Sequence, residues 1–412
     1  MAMQRRTVVT GAGLVSPAGK DLESLWAACL EGRSGISRIT TLDVSEYATQ
    51  IGGEIPDFDP TAYMDPKVAK RCDRFCQLGL AAGLSALADS RLEITEHNRQ
   101  RVGVLLSSGI GGMGIWEEQY TRLLNGGPSR VSPFLIPMMI GNMLAGTFSV
   151  LTDARGPNLS VVTACATSAH ALGLASDLIR LGRADVFVTG GAEGSIAATA
   201  FAGFCSAKAM SRRNDDPLHA CRPFDRDRDG FVMGEGGAAV VLEELEHARA
   251  RGATILGEVL GYGMSGDAFH MTAPRPDGSG AAAAMRAALE DAGVEASQVG
   301  YVNAHAPGTE DGDNMEAAAI SQVLGNEVPV SSTKPIHGHL LGAAGATEML
   351  ICMQAVRSGM VPPSLNCENR GEGIENNVVQ GGPLTTPVEF AISNSFGFGG
   401  HNASLVVGPP PD

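Results

Sequence analysis

Apolar positions along this chain gather into short runs, separated by longer alanine-rich stretches with helical spacing. Runs at residues 6–10, 102–107, 160–163, 186–190, 238–243, 300–303, 329–332, 389–394 and 403–407 predict buried strands. Between them, helical periodicity predicts helices over 22–30, 75–89, 168–181, 280–292, 314–324 and 344–358, with a charged helix over 243–251. Strands alternating with helices imply an α/β fold with helices packed on mixed sheets. A loose two-fold pattern runs through the chain. In each half a strand leads into a glycine turn bearing a reactive side chain: Cys165 in the first, His305 and His339 in the second. The seam falls near 251–255. No Pro/Ser linker marks it, so the halves, 1–252 and 253–412, should be fused through one core.

Gly11-Ala12-Gly13-Leu14-Val15-Ser16 follows the first strand and superficially matches a dinucleotide fingerprint, but its third glycine is absent. The better reading is a tight strand-to-loop turn.

Composition narrows the class. The 412 residues are 44% hydrophobic and 18% charged, which suits a globular chain with a large core. The 53 glycines have no three-residue period, so a collagen-like chain is excluded. Thirty basic against 45 acidic residues leave a net charge of −15, the wrong sign for a nucleic-acid binder. The eight cysteines include no Cys-x-x-Cys pair, which points to a reducing compartment. Cys72 and Cys76 share a predicted helical face, but no histidine lies nearby to complete a metal site. The amino terminus runs into the first strand without a signal-peptide core, and no apolar run reaches about 18 residues. The expected setting is cytoplasmic, with no membrane span.

Cys165 lies where the strand-like Val161-Val162-Thr163-Ala164 meets a helix of small residues. A helix N-terminus offers free N–H groups and a dipole that favour thiolate. Taken alone, the junction suits a nucleophile and an inert buried thiol alike. His305 closes the apolar strand Tyr301-Val302-Asn303-Ala304, and His339 follows the strand and turn at 331–338. Each histidine sits at a strand exit, where α/β folds place their sites. A single histidine there is commonly structural. Two of them with a helix-capping cysteine make a Cys-His-His set suited to thioester chemistry.

Five motifs then occur in order: Thr163-Ala164-Cys165; Arg222-Pro223-Phe224-Asp225-Arg226-Asp227-Arg228-Asp229-Gly230-Phe231; Asn303-Ala304-His305; Thr333-Lys334 with Gly338-His339; and Asn394-Ser395-Phe396-Gly397-Phe398-Gly399-Gly400. Together they closely resemble the β-ketoacyl-[acyl-carrier-protein] synthases, especially the type II elongating condensing enzymes, over about residues 5–408. The resemblance implies a thiolase-like fold, two similar halves stacked as five layers α-β-α-β-α, and a homodimer or a heterodimer with a related subunit. It implies decarboxylative Claisen condensation of an acyl-enzyme thioester with malonyl-acyl carrier protein, elongating a fatty acyl, polyketide or polyene chain by two carbons. Cys165 would carry the acyl group, and His305 and His339 would stabilise the malonyl enolate. The N–H groups of Cys165 and Phe398 would form an oxyanion hole, with Phe398 as a gate. Lys334 would orient Glu348 and the histidines, with Asp313 and Glu316 behind them. Thr272 and Thr309 would contact the phosphopantetheine arm, which the acyl carrier protein supplies. Ile110, Phe204 and the 134–139 stretch would line the acyl pocket and the dimer-facing wall. Lys67, Lys70 and Arg71 on one predicted helix, with Arg130 and Lys208, would dock the carrier. No cofactor or metal held by the enzyme itself is implied.

Two positions depart from the pattern. Pro307 replaces a pantetheine-contacting threonine, and Gly308-Thr309 before Asp313 resembles the ketosynthase subunits of type II polyketide systems. His401 stands where threonine is commoner. Two alternatives accompany the main reading. A non-catalytic chain-length-factor-like subunit would lack the cysteine, which is present; a thiolase-type acyltransferase would pair the cysteine with one histidine and a second cysteine.

Overall fold

The computed structural model describes residues 5–411, so residues 1–4, part of the stretch read as lacking a leader, lie outside it. One sheet of eleven strands organises the chain. Its strands are β1 (Thr7–Val15), β2 (Val102–Ser107), β3 (Asn158–Leu159), β4 (Val186–Glu193), β5 (Gly236–Glu244), β6 (Gly257–Gly266), β7 (Val299–Asn303), β8 (Pro329–Ser331), β9 (Asn377–Val378), β10 (Phe390–Gly397) and β11 (His401–Gly408). Their spatial order is β9-β8-β7-β10-β11-β6-β1-β5-β4-β2-β3.

That order contains a duplication. The run β3-β2-β4-β5-β1 and the run β8-β7-β10-β11-β6 have the same connectivity, and each has two parallel pairs toward the sheet edge and two antiparallel pairs toward the middle. The two runs meet where β1 pairs antiparallel with β6, Thr7 opposite Val259. Six helices complete the layers: α1 (Arg74–Ser90), α2 (Thr167–Arg180), α3 (Ala198–Ser206), α4 (Ser279–Ala292), α5 (Glu310–Leu324) and α6 (Ala344–Ser358). Helix α1 covers the outer face of β1, β5 and β4, while α4, backed by α5, covers β6 and β11. Helices α2 and α6 pack on each other in the middle layer. The result is the five-layer α-β-α-β-α stack of a thiolase-like fold. The middle helices are nearly all buried, which explains their small-residue faces: Ala166, Ala169, Ala171, Leu172, Ala346 and Met349 share one core.

Four local readings change. Gly11 to Val15 is strand, not turn. A Cβ on Gly11 or Gly13 would lie 2.3 or 2.2 Å from the carbonyl oxygens of Ala86 and Ala82, so these glycines let α1 press on the backbone of β1. Gly261 and Gly263 do the same for α4, at 2.2 and 2.0 Å from the Ala288 and Ala284 oxygens. Their presence hid β6 from a reading that takes glycines as strand ends. Second, residues 160–163 are irregular: Val161 N–H donates to Ser107 Oγ and Thr163 N–H to Thr167 Oγ1, so hydroxyls replace a ladder. Third, the charged stretch 243–251 divides, with β5 running to Glu244 and a helix over Leu245–Ala250. Fourth, the basic helix near 67–71 is one turn, Pro66–Ala69, and α1 begins at Arg74, so Cys72 lies before it. Cys72 and Cys76 are both buried, free thiols.

Candidate active site

Cys165 enters the site through a strained turn. Ala164 has φ +50°, a left-handed conformation costly for a residue with a Cβ, and the tight turn Ala164–Ala166 feeds directly into α2. The same device recurs in the second half, where Leu341 also has φ +50° and the turn Leu341–Ala343 feeds α6. Two helix starts thus converge near the middle of the molecule. His305 follows β7, and His339 follows the turn after β8.

The three side chains meet. Sγ of Cys165 and one ring nitrogen each of His305 and His339 lie within 4.8 Å of one another. No other trio of potential metal ligands gathers in this way among the described residues. The imidazoles stand edge to face at 5.2 Å, with Phe231 against His339 and Phe396 against His305. They line a cavity of about 470 Å³ together with Ile110, Phe204, Thr272, Thr309 and Phe398. Thr272, Thr309, Ile110 and Phe204 therefore come to the site as expected, whereas no residue of the 134–139 stretch lines the cavity.

Burial sets the protonation states. It pushes both histidines well below the ordinary imidazole range, aided by the positive charge of Lys334, so both rings are neutral. Leu341 N–H donates to His339 Nδ1 at 3.4 Å, which leaves the proton on Nε2. For Cys165 the balance is less favourable to thiolate than a helix start alone suggests. Burial pushes the thiol up to about 12, although Lys334 and the backbone N–H groups of Phe398 and Cys165 pull it down. Both N–H groups act on the thiol, and an oxyanion formed there would need two such donors. Gly397 permits this approach, because a Cβ there would lie 2.6 Å from the Thr163 carbonyl oxygen.

Charged groups hold the frame. Lys334 Nζ donates to Glu348 Oε1, and both side chains are fully buried. Burial raises the Glu348 carboxyl to about 7, against the pull of Lys334. Glu316 accepts from His305 N–H at 2.9 Å, Ala306 N–H at 2.7 Å and Asn394 Nδ2 at 3.1 Å, which fixes the histidine's turn. Asp313 accepts from Phe224 N–H at 2.8 Å and Gly308 N–H at 3.1 Å. Replacing Lys334 with alanine strands a buried carboxylate and should cost about 3–5 kcal/mol. A chemical denaturation series checks this. The loss should shrink as pH falls, because Glu348 then becomes neutral by protonation.

Phe398 is 39% exposed at the mouth, 6.4 Å from the Phe204 ring. Gly399 N–H donates to Met271 O, and Asp267 accepts from Asn402 Nδ2, so the Phe398 loop is tied to the 267–272 segment. His401 stands exposed beside Gly399, and Pro307 lines the cavity. The basic residues are less concentrated than a shared helix face implies. Lys67, Lys70, Arg71, Arg130 and Lys208 are all exposed. Arg71 lies past the end of its helix and sits over the Phe134 ring at 4.8 Å. Lys208 lies between Ala207 and Ala209, which line the cavity.

Several residues escaped the sequence reading. Phe231 and Phe396 form the aromatic wall, Leu341 orients His339, and Glu193 lies buried beside the pocket. Phe231 and Phe396 lay inside quoted motifs, but as apolar residues they carry no chemical signature. For Glu193 the available signal was a charge closing an otherwise apolar strand.

A duplicated five-layer α/β fold with a cysteine on a helix start and two neutral histidines over it defines a thiolase-like acyl-transferring enzyme. Comparison with known proteins makes this specific. The model "Beta-ketoacyl synthase, N-terminal domain" matches residues 4–248, and "Beta-ketoacyl synthase, C-terminal domain" matches residues 256–368. The chain belongs to the β-ketoacyl synthase family. It is 49% identical to 3-oxoacyl-[acyl-carrier-protein] synthase 2 of Vibrio harveyi over 407 residues, covering 98% of each chain. It is equally 49% identical to the synthase of the same name from Synechocystis, over 98% of this chain and 97% of that one. Among solved structures, a β-ketoacyl synthase from Burkholderia phymatum superposes with a TM-score of 0.93 at 34% identity, covering 99% and 100% of the two chains. The ishigamide ketosynthase/chain length factor superposes at 0.92 with 33% identity, again covering 99% and 100%. The chain is thus an acyltransferase of the condensing type.

Proposed function

We propose that this enzyme lengthens carrier-bound fatty acyl chains by two carbons, with Cys165, His305 and His339 as its reacting groups. The observation that carries the reading is the convergence of the Cys165 sulfur and both imidazoles within 4.8 Å, beneath two N–H donors. An acyl chain arrives as a thioester on an acyl carrier protein, whose phosphopantetheine arm enters past Thr272 and Thr309. Cys165 gives up its proton and attacks the carbonyl. The developing oxyanion takes hydrogen bonds from the Cys165 and Phe398 N–H groups, and the carrier thiol leaves with a proton. A malonyl-carrier then places its thioester oxygen between the two histidines. Carbon dioxide departs, and its bonding electrons form an enolate held by the imidazole N–H groups. The enolate carbon attacks acyl-Cys165, and the thiolate leaves as the 3-oxoacyl product forms on the carrier.

Lys334 and Glu348 keep the histidines neutral and oriented, while Asp313 and Glu316 shape the turns that carry them. Ile110 and Phe204 wall the acyl side, and Phe398 gates it. The Vibrio and Synechocystis relatives favour fatty acyl elongation. The AntDE:AntF complex, 28% identical and described as a type II polyketide acyl-carrier protein with its ketosynthase, supports a carrier partner. The dimer face we infer runs from the exposed edge strand β3 over the helices at Met113–Gly126, Leu135–Met139 and Met143–Thr152. Trp116, Phe134, Ile136, Val150 and Leu159 are exposed there. Eight free thiols suit the cytoplasm as the setting. No described helix is long and apolar enough to cross a membrane. Intact mass spectrometry after incubation with acyl-carriers tests the reading: one acyl mass should appear, and peptide mapping should place it on Cys165. Label on Cys205, its neighbour in the aromatic cluster, would overturn the assignment.

Docking poses an electrostatic problem, since a chain of net charge −15 must meet a carrier that is itself acidic. Lys67, Lys70, Arg71, Arg130 and Lys208 are the local positive charges that would resolve it. Reversing Lys67 and Arg71 together to glutamate should raise KM for carrier substrates several-fold. Acyl-pantetheine, which lacks the protein, should react as before. The wild-type rate with carrier should fall as salt rises.

A further inference from the structure

The Glu193 carboxylate is fully buried at the end of β4 and holds four donors. Oε1 accepts from Ser108 Oγ–H at 2.7 Å and Ile110 N–H at 3.2 Å. Oε2 accepts from Gly109 N–H at 3.0 Å and Gly342 N–H at 3.1 Å. The cradle is shaped for this group, because a Cβ on Gly109 or on Gly342 would lie 2.8 Å from Oε2. Two segments of the site therefore hang on one side chain, and a third packs against the first of them. The loop after β2 carries Ile110 to the cavity wall. Gly109 of that loop rests on Ala164, the strained residue before Cys165. Gly342 belongs to the other half and follows Leu341, which lines the same cavity and bonds His339.

A hub of this kind exceeds what folding of the loop needs, since it ties both sides of the pocket and both halves of the chain to one point. We propose that Glu193 is a positioning residue for acyl selection: by fixing Ile110 and Leu341 relative to Cys165, it sets which chain lengths the cysteine accepts. The inference rests on the acyl-enzyme reading above. The two fail separately, because acylation of wild-type Cys165 by any carrier-bound chain tests the reaction, while the preference among chains tests Glu193.

Glu193→Gln is the informative change. All four partners are donors, so an amide NH₂ must face two of them, whichever way it turns. The experiment measures kcat/KM for Cys165 acylation across short and long acyl-carriers in wild type, Glu193→Gln, Ile110→Ala and the double variant. Glu193→Gln should change the long-to-short ratio by about tenfold, the scale of one methylene misplaced in an apolar pocket. Because part of the effect runs through the Ile110 wall, Glu193→Gln should shift the ratio less in the Ile110→Ala background than in wild type, a non-additive cycle. A folded Glu193→Gln enzyme that loses rate equally for all chains would overturn the proposal, and so would an additive cycle. Should that variant fail to fold, Ser108→Ala removes one donor and keeps three. A ratio shifted in the same direction by Ser108→Ala supports the proposal, and an unchanged ratio overturns it.

Discussion

Replacing Cys165 with glutamine abolishes condensation while release of carbon dioxide from malonyl-carrier continues or rises. The loss should be at least about ten-thousandfold, as expected when the nucleophile of a cooperating set is removed. The survival of decarboxylation is the sharper half of the prediction. Glutamine places an amide carbonyl where the acyl thioester carbonyl would stand, beneath the N–H groups of Phe398 and Cys165. It therefore fills the acyl position with an uncharged group and leaves His305 and His339 free to bind the malonyl thioester. Parallel assays of 3-oxoacyl product and released carbon dioxide separate the two reactions. Loss of both together would mean that the histidines do not hold the malonyl group as proposed.

The electrostatics make the cysteine the harder part of the cycle to activate. Its thiol is pushed up to about 12 by burial, so the resting site is neutral, with a buried Lys334–Glu348 pair beside it. In the proposed cycle His305, the imidazole whose tautomer no neighbour fixes, receives the proton as the carrier thioester enters. Attack then creates an oxyanion in front of two fixed donors, which a resting thiol does not use fully. On the proposed mechanism, such a site holds an inert thiol until the substrate arrives and confines reactivity to the acyl-transfer step.

The chemistry was more legible in the sequence than the architecture around it. Cys165, His305 and His339 were readable because each closes a strand or opens a helix, where a reactive group is conspicuous against small residues. Helices α2 and α6 were readable for the same reason, and their predicted ends differ from the observed ones by at most a residue. By contrast β6 was hidden by glycines that serve helix packing, and the helix Met113–Gly126 by an outward apolar face including Trp116 and Tyr120. Strand periodicity cannot distinguish a glycine that ends a strand from one that admits a helix. Glu193 was missed for a different reason. Its meaning lies in donors far along the chain, the Ser108 hydroxyl 85 positions away and the Gly342 N–H 149 positions away, and no local pattern reports them. The basic turn near Lys67 shows the opposite error. Spacing of four residues was read as a helix face, but Asp65 and Pro66 support only a single turn.

Removing either histidine should spare acylation and stop decarboxylation. In His305→Ala or His339→Ala, Cys165 should still take an acyl chain, more slowly where that imidazole also receives the thiol proton. The enolate, however, loses one of two donors. That should cost about 3 kcal/mol, or roughly a hundredfold in carbon dioxide release. The geometry explains why the two donors are not interchangeable in support. His339 has its proton placed on Nε2 by Leu341 N–H, whereas His305 has an unpartnered Nδ1 and is held chiefly through its backbone by Glu316. Glu316→Gln should therefore weaken the His305-dependent step more than the His339-dependent one, because an amide cannot accept both backbone N–H groups as the carboxylate does. The double variants separate these contributions. Adding Glu316→Gln to His305→Ala should cost little further decarboxylation, while adding it to His339→Ala should compound the loss. Because burial and Lys334 keep both rings neutral, carbon dioxide release should also stay level as pH falls through the ordinary imidazole range. A drop with a midpoint in that range that persisted in Glu348→Gln, whose wild-type carboxyl is raised by burial to about 7, would show that a charged histidine had been admitted to the site. Normal decarboxylation in either alanine variant would remove that histidine from the mechanism.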